Sequence, residues 1–157
     1  MYKRQAYALP KPVGKAEMVV IPTTSGTGSE TTSCAVFTNQ ETKAKSLMLS
    51  NDLIPAYAIL DADFTDTLPA TVAAHTGMDG LAHAMEAAVC VAASPMVVSL
   101  GLGAAMDLLE NLPTSVGGEG EAKKKAREIC HIASSLAGVA ITNSCAGLVH
   151  GLSLIHI

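Results

Sequence analysis

The residue pattern of the chain changes near Thr67, and this change constrains the fold more than any other feature. Short apolar runs precede it, at 17–24, 34–39, 45–50 and 56–64, with turn-like segments between them. After it, β-branched runs give way to Ala-rich stretches with helical periodicity. Short apolar runs bounded by turn residues are typical of strands, whereas apolar residues three and four apart are typical of helices. We therefore expect an α/β region over residues 1–67 and an all-helical region over 68–157.

The predicted helical region begins with Thr67 as a helix cap and Pro69 in the first helical turn. Helices are expected at 69–91, 95–112 and 121–142, with a loop at the sequence PTSVGGEGE. The 20 uncharged residues from Ala87 to Met106 equal the length of a membrane-spanning helix. Because Ser94 and Pro95 interrupt this stretch, we interpret it as two buried helices rather than a membrane span.

Charge and cysteine content narrow the function classes. The net charge is −4, and the only basic cluster is at 123–127, which argues against nucleic-acid binding. The four cysteines are widely scattered without a CxxC pair, a pattern that fits neither a disulfide framework nor a zinc knuckle. We therefore expect a protein of the reducing cytoplasm, with no nucleic-acid partner and no membrane contact.

A polar stripe lies on the first predicted helix. Asp79 and His83 are four residues apart and Glu86 follows three residues later, so all three share one face of a helix. Two interpretations are open at this point: a buried Asp–His hydrogen bond that satisfies a core histidine, or two ligands of a divalent metal. His150 lies in the uncharged stretch that begins at Ile132, and it is a candidate third ligand if the helices bring it nearby.

The segment IPTTSGTGSETT, at 21–32, is rich in hydroxyl groups and glycine. Seven of its twelve residues are Ser or Thr, with Gly26 and Gly28 between them. Such a loop after a strand offers backbone N–H groups and hydroxyls to a phosphate. It matches neither the G-x-G-x-x-G fingerprint nor a P-loop, and an ordinary polar turn explains the composition equally well.

Four segments together resemble one protein family. PTTSGTGSE, AILDADFTDTLP, TGMDGLAHAMEA and GLVHG occur in this order and are similar to motifs of the iron-containing (group III) alcohol dehydrogenases. The resemblance runs from about Ala16 to Ser153. It implies a nucleotide-binding α/β domain followed by an all-helical metal-binding domain, the architecture shared with dehydroquinate synthase, with the active site in the cleft between them.

The resemblance also implies roles for particular residues. Asp79, His83 and His150 correspond to metal ligands of the family, with Fe²⁺ as the implied ion and Zn²⁺ as an alternative. Thr23, Thr24 and Lys45 correspond to residues that contact the dinucleotide, NAD or NADP. Apart from the resemblance, Glu86 is a candidate hydrogen-bond partner of His83, and a solvated or helix-capping carboxylate is the alternative.

The implied activity is that of an oxidoreductase: metal-assisted hydride transfer between NAD(P) and a small primary alcohol or aldehyde. A glycerol dehydrogenase and a dehydroquinate synthase-like enzyme are alternatives within the same superfamily. A non-catalytic helical protein with buried histidines is an alternative of another class, and it predicts no stoichiometric metal binding.

The family pattern extends beyond the chain on both sides. Upstream it has a Gly-Gly-Gly-Ser turn for the pyrophosphate, and downstream it has a further histidine as the fourth metal ligand. After GLVHGLS this chain reads Leu154, Ile155, His156 and Ile157, where the family continues His-Pro-Leu-Gly. We therefore expect an internal fragment of a longer, homo-oligomeric parent protein, an incomplete architecture, and negligible activity of the fragment alone.

Overall fold

A computed structural model describes residues 16–41, 43 and 45–156, which divide into a part made of strands and loops and a helical part. The first part contains the strands β1 (Val19–Val20), β2 (Cys34–Thr38), β3 (Lys45–Leu49) and β4 (Tyr57–Ala58). The second contains the helices α1 (Ala70–Val89), α2 (Pro95–Gly117), α3 (Gly120–Thr142) and α4 (Leu148–His156). The order of strands and then helices is the predicted one. The first 15 residues of the predicted α/β region lie outside the described residues, and the domain boundary near residue 67 stays a prediction.

The strands form two small sheets. β2 and β3 make an antiparallel hairpin, in register from Cys34↔Leu49 to Thr38↔Lys45. β1 and β4 pair in parallel over two residues each, so only part of each apolar run at 17–24 and 56–64 forms a strand. Pro22 lacks the N–H that a continuing strand needs. Beyond β4, the Asp61 carboxylate accepts a hydrogen bond from the Asp63 N–H and starts the 3-10 turn Ala62–Thr65.

The helix ends differ from the prediction at two places. α1 begins at Ala70 after Pro69, without a side-chain cap, so the prediction that Thr67 caps it is wrong. α2 begins as predicted, with the Ser94 hydroxyl accepting from the Val97 N–H, but it continues through Pro113 to Gly117. A proline costs a helix one hydrogen bond. The helix nevertheless continues, and the Gly118 N–H closes its last turn on the carbonyl of Thr114.

The core lies between α1, α2 and α3, and small side chains dominate it. Its main cluster consists of Leu81, Ala84, Ala104, Ala105, Leu108, Cys130, Ala133 and Ala137. Small residues let the helix backbones approach closely: a Cβ on Gly101 would lie 2.7 Å from the Ala84 carbonyl oxygen. α1 is therefore held firmly by its neighbours, which fixes the position of the polar side chains along its other face.

Arg127 connects the helical core to the segment before α1. Its buried guanidinium donates through Nη1 to the Thr65 carbonyl at 2.8 Å and to the Asp66 carboxylate at 3.3 Å. The first contact gives the carbonyl of the buried Thr65 a hydrogen-bond donor, and the second is an ion pair with Asp66. This side chain therefore fixes the approach of the chain to the start of α1.

The uncharged stretch at 87–106 covers the end of α1, a short connection and the first half of α2. No helix in the described part of the chain is both long and apolar enough to cross a membrane.

Candidate metal centre

Asp79, His83 and Glu86 lie on one face of α1, as the sequence spacing predicts. Asp79 and His83 are half-buried, and Glu86 is buried. Consecutive members are four and three residues apart, so their side chains are stacked along the helix. The face therefore presents two carboxylates and one imidazole to whatever packs against it.

His150 is brought to this face by α4. One potential ligand atom from each of Asp79, His83 and His150 lies within 4.8 Å of the other two. The His83 and His150 rings are stacked, with centroids 4.4 Å apart and an interplanar angle of 10°. The structure thus brings together the three residues that the sequence analysis predicts as metal ligands, across a gap of about 70 residues in the chain.

His150 lies between two carboxylates. Its Nδ1 is 2.6 Å from Oε2 of Glu86, and its Nε2 is 3.3 Å from Oδ1 of Asp79. The hydrogen bond to Asp79 and the negative charges of both carboxylates raise the pKa of His150 above its ordinary value, although burial opposes this. Without a metal, a protonated His150 can therefore donate to both carboxylates at once.

His83 differs electrostatically from its stacked neighbour. Burial lowers its pKa below the ordinary value, and attraction to Asp79 offsets this only in part. Its Nδ1 is buried without a hydrogen bond of acceptable geometry to any described residue, although the Gly26 backbone acts weakly on its pKa. Because burial outweighs the opposing contributions to its pKa, His83 favours the neutral form of the imidazole.

Asp79 remains ionised in this setting. Burial raises the pKa of its carboxyl group, but the hydrogen bond from His150 and the charges of both imidazoles outweigh burial. The net pKa lies below the ordinary value. The centre therefore offers one carboxylate oxygen and two imidazole nitrogens, a donor set that suits Fe²⁺ and Zn²⁺.

Glu86 contacts His150 rather than His83, so the expected hydrogen bond to His83 is not the one that the structure shows. Its two carboxylate oxygens also accept from the Gly147 N–H at 2.9 Å and the Val149 N–H at 2.7 Å. His150 approaches Glu86 from α4, whereas His83 lies on the same helix as Glu86 and stacks against the ring of His150. The sequence contains no local signal for this contact, because the partners are 64 residues apart.

A cavity of about 810 Å³ adjoins two of the three candidate ligands, Asp79 and His150. Glu86 lines it as well, and much of the remaining lining is apolar, with Met78, Met85, Val89, Leu148 and Val149 among its residues. His75 lines it too, but its exposed side chain is not part of the three-residue group. A polar group at one end and apolar walls suit a small molecule with one oxygen and an alkyl portion.

The hydroxyl-rich loop packs against α1 and α3. A Cβ on Gly26 would lie 2.1 Å from the Thr76 carbonyl oxygen, and one on Gly28 would lie 2.7 Å from the Gly138 Cα. Gly28 also has a φ of 58°, which favours glycine. The two glycines therefore allow the loop to lie directly on both helix backbones. Thr23 is exposed and Thr24 is half-buried on this loop.

A buried Ser–His contact, which the sequence analysis did not anticipate, fixes the same loop to α3. The Ser25 hydroxyl and Nδ1 of His131 are 3.0 Å apart, and His131 is buried. The two partners are 106 residues apart in the chain, so no local sequence pattern indicates the contact.

Lys45, the third residue predicted to contact a dinucleotide, is the first residue of β3 and is exposed. It pairs with Thr38, at the opposite end of the hairpin from Cys34, which is about 14 Å along the strand at 3.4 Å per residue. Lys45 thus lies at the end of the hairpin remote from Cys34, where the chain arrives from the loop that carries Thr23 and Thr24.

Comparison with known proteins agrees with this arrangement. The family model "Fe-containing alcohol dehydrogenase family, C-terminal" matches residues 73–155, which is more than half of the chain. The chain belongs to the iron-containing alcohol dehydrogenase family. A second model, "Iron-containing alcohol dehydrogenase", matches residues 2–62. The resemblance on which the sequence analysis relied is thus confirmed in both parts of the chain.

Individual members of the iron-containing alcohol dehydrogenase family match nearly the whole chain. The NADPH-dependent butanol dehydrogenase of Clostridium saccharobutylicum is 35% identical over 150 residues, which are 96% of this chain and 38% of that protein. An iron-containing alcohol dehydrogenase from Thermococcus thioreducens superposes with a TM-score of 0.82 at 34% identity, over 94% of this chain and 38% of that one.

A sulfoacetaldehyde reductase from Bifidobacterium kashiwanohense, solved with NAD⁺, gives a TM-score of 0.76 at 35% identity, over 83% of this chain and 34% of that one. The chain thus spans somewhat more than a third of the length of these three relatives.

Proposed function

We propose that this chain is part of an oxidoreductase that transfers hydride between NAD(P) and a small primary alcohol or aldehyde at a divalent metal centre. The observation that carries the proposal is the convergence of Asp79, His83 and His150 ligand atoms within 4.8 Å. Membership of the iron-containing alcohol dehydrogenase family supports the reaction type. The alternative interpretation, a buried Asp–His hydrogen bond without a metal, does not explain why a second imidazole lies at the same point.

Asp79, His83 and His150 would hold the metal. The family description favours Fe²⁺, and a set of one carboxylate and two imidazoles accepts Zn²⁺ as well. A bound divalent ion would supply Lewis-acid polarisation of the substrate oxygen, and NAD(P) would supply the hydride acceptor or donor.

The protonation states of the ligands suit this role. His83 is neutral because burial lowers its pKa, so a ring lone pair is available, and Asp79 is ionised. His150 carries a raised pKa and must lose its Nε2 proton before that nitrogen can bind a metal. Metal binding is therefore expected to strengthen as pH rises through the pKa of His150.

The apolar cavity beside the centre would bind the alkyl part of the substrate. Met78, Met85 and Val89 line it on the α1 side, and a saturated chain of a few carbons gains about 0.8 kcal/mol for each CH₂ group that it buries there. The substrate oxygen would then face Asp79 and His150. This arrangement favours a small alcohol with a hydrocarbon tail over a charged substrate.

Thr23, Thr24 and Lys45 would contact the dinucleotide. The loop that carries the two threonines is held against α1 and α3 by close glycine contacts, so its hydroxyls and N–H groups are preorganised for a phosphate or ribose. The relatives include an NADPH-dependent enzyme and one solved with NAD⁺, so the proposal covers both dinucleotides.

A calorimetric titration of the metal-free chain with Zn²⁺, or with Fe²⁺ under anaerobic conditions, tests the metal centre. We expect one ion per chain, and no such binding in Asp79→Ala or His83→Ala. His75→Ala is the matched control, because His75 lies on the same helix, lines the same cavity and is outside the three-residue group. A wild-type chain without stoichiometric binding would contradict the proposal and favour a non-catalytic helical protein.

Hydride transfer is tested in a chimera that adds the flanking sequence of the butanol dehydrogenase relative to this chain. NADPH absorbance should fall when butyraldehyde is added. Asp79→Ala in the chimera should abolish the change, whereas His75→Ala should retain it. Loss of turnover in both variants would show that the cavity, rather than the metal centre, limits the reaction.

A further inference from the structure

The Glu86 carboxylate is nearly saturated with hydrogen bonds from α4 and the residue before it. It is 8% exposed. Oε1 accepts from the Val149 N–H, and Oε2 accepts from the Gly147 N–H and faces Nδ1 of His150 at 2.6 Å. A buried carboxylate with three donors around it is ionised and acts only as an acceptor. Glu86 is therefore fixed in place, and both of its oxygens are engaged by hydrogen-bonding groups of Gly147, Val149 and His150.

This contact decides which nitrogen of a neutral His150 carries the proton. A carboxylate can accept but cannot donate, so the nitrogen that faces Glu86 at 2.6 Å must be protonated for the contact to be favourable. The contact of Nε2 with Asp79 is longer, at 3.3 Å, and is correspondingly weaker. In the neutral ring the proton therefore lies on Nδ1, and Nε2 has a free lone pair.

We propose that Glu86 is a positioning residue that keeps the proton of His150 on Nδ1 and directs the Nε2 lone pair to the point shared by Asp79 and His83. The inference rests on the proposed metal centre for its functional meaning, and on the contacts of Glu86 for its geometry. The same carboxylate accepts the first free N–H groups of α4, so it fixes the backbone that carries His150 as well as the ring itself.

Gly147 makes this arrangement possible. A Cβ at this position would lie 2.9 Å from Oε1 and 3.1 Å from Cδ of Glu86, closer than such atoms can approach. The carboxylate is the movable end of a side chain, so an added methyl group displaces it from His150 rather than distorting a helix. Gly147→Ala therefore disturbs the positioning while Glu86 and all three candidate ligands remain in the chain.

The first measurement is the tautomer of His150 in the metal-free wild-type chain, from ¹⁵N chemical shifts of the imidazole nitrogens at a pH where the ring is neutral. His150→Gln identifies the resonances. We expect Nδ1–H in the wild type and a shift towards Nε2–H in Glu86→Gln, in which the amide no longer offers two acceptor oxygens. A wild-type ring with its proton on Nε2 overturns the proposal, whether or not any variant folds.

The second measurement is the affinity for Zn²⁺ by competition with a chromogenic chelator. Loss of an outer partner of a metal-binding histidine typically costs 10–100-fold in affinity, and we expect a loss in this range in Glu86→Gln and Gly147→Ala. Glu110→Gln is the control, because Glu110 is an exposed carboxylate on α2, and it should bind as the wild type does.

If Glu86→Gln leaves both the tautomer of His150 and the affinity for Zn²⁺ unchanged, the inference is wrong, but the proposed metal centre is not affected. A wild type that binds no Zn²⁺ overturns the proposed function instead, and the tautomer measurement still decides the role of Glu86. Circular dichroism of each variant, with helix content equal to that of the wild type, shows that a lost affinity does not reflect unfolding.

Discussion

His83 and His150 stack ring on ring, 4.4 Å between centroids, although their pKa values shift in opposite directions. Burial lowers the pKa of His83, and the hydrogen bond to Asp79 raises that of His150. The stack therefore pairs a ring whose surroundings favour the neutral form with one whose surroundings favour protonation. It packs α4 against α1 and, at the same time, brings together two nitrogen donors, so packing and metal binding need separate tests.

His83→Phe separates the two roles of the stack. Phenylalanine keeps a flat ring against His150 but has no nitrogen, so packing is largely retained and metal binding is lost. We expect the free energy of unfolding of the metal-free chain to change by about 1–2 kcal/mol, measured by urea denaturation. Stabilisation by added Zn²⁺, which should raise the Tm of the wild type, should disappear. A variant that Zn²⁺ still stabilises to the same extent would exclude His83 as a ligand.

Gly26→Ala should detach the hydroxyl-rich loop from α1. The new methyl carbon would lie 2.1 Å from the Thr76 carbonyl oxygen, a backbone atom that cannot move without distorting the helix. We expect a loss of about 1–3 kcal/mol in the free energy of unfolding, measured by denaturant titration.

Gly103→Ala is the control for Gly26→Ala. Gly103 lies in α2, and a Cβ there meets nothing within 4 Å, so alanine should stabilise the helix by about 0.5–1 kcal/mol. Equal effects of the two substitutions would show that the loop does not depend on the close contact at Gly26.

The sequence predicted the elements and the candidate ligands better than the contacts between them. The spacing of Asp79 and His83 places both on one helix face because a helix has a fixed repeat. α4 was not predicted, and Gly151 lowers the helical propensity of its sequence. What holds its first turn is the Glu86 carboxylate, which lies more than 60 residues away in the chain and has no local signature.

The ends of the helices were also predicted less accurately than their existence. Pro113 suggested that α2 ends at 112, because proline usually breaks a helix interior. The helix continues to Gly117, and the carbonyl of Ser115 lies 3.5 Å from Nε of Arg127 on α3. This last part of α2 thus gains a tertiary contact, and no pattern within residues 113–117 could indicate it.

Arg127→Lys should destabilise the protein although it conserves the charge. The guanidinium donates to the Thr65 carbonyl at 2.8 Å and to Asp66 at 3.3 Å through one nitrogen, and to the Ser115 carbonyl at 3.5 Å through another. A lysine cannot reproduce this forked geometry, and a buried carbonyl left without its donor costs about 1–3 kcal/mol. Thermal or urea unfolding measures the loss.

Lys124→Gln is the control for Arg127→Lys. Lys124 pairs with Asp63 at 3.2 Å, and both side chains are mostly exposed, so solvent screens the pair and its loss should have little effect on stability. A cost for Arg127→Lys as small as that for Lys124→Gln would show that the forked contacts do not hold the segment before α1.

Acid should destabilise the metal-free chain in part through His131. Burial lowers the pKa of this histidine below the ordinary 6.5, and the charges of Glu30 and Asp61 offset burial only in part. Because the folded state binds the proton less tightly than the unfolded state, the neutral ring contributes stability that is present above about pH 6.5 and is lost as pH falls towards the lowered pKa. Nε2 of His131 has no hydrogen-bond partner among the described residues, so no acceptor compensates for the added charge.

His131→Gln tests this contribution. The free energy of unfolding of the wild type should fall between pH 7 and pH 5, and the fall should be smaller in His131→Gln, although His83 continues to act in the same direction. Urea titrations at several pH values measure the slope. If His131→Gln keeps the wild-type slope, His131 is protonated in the folded protein as readily as in the unfolded chain, and its contact with Ser25 cannot depend on a neutral ring.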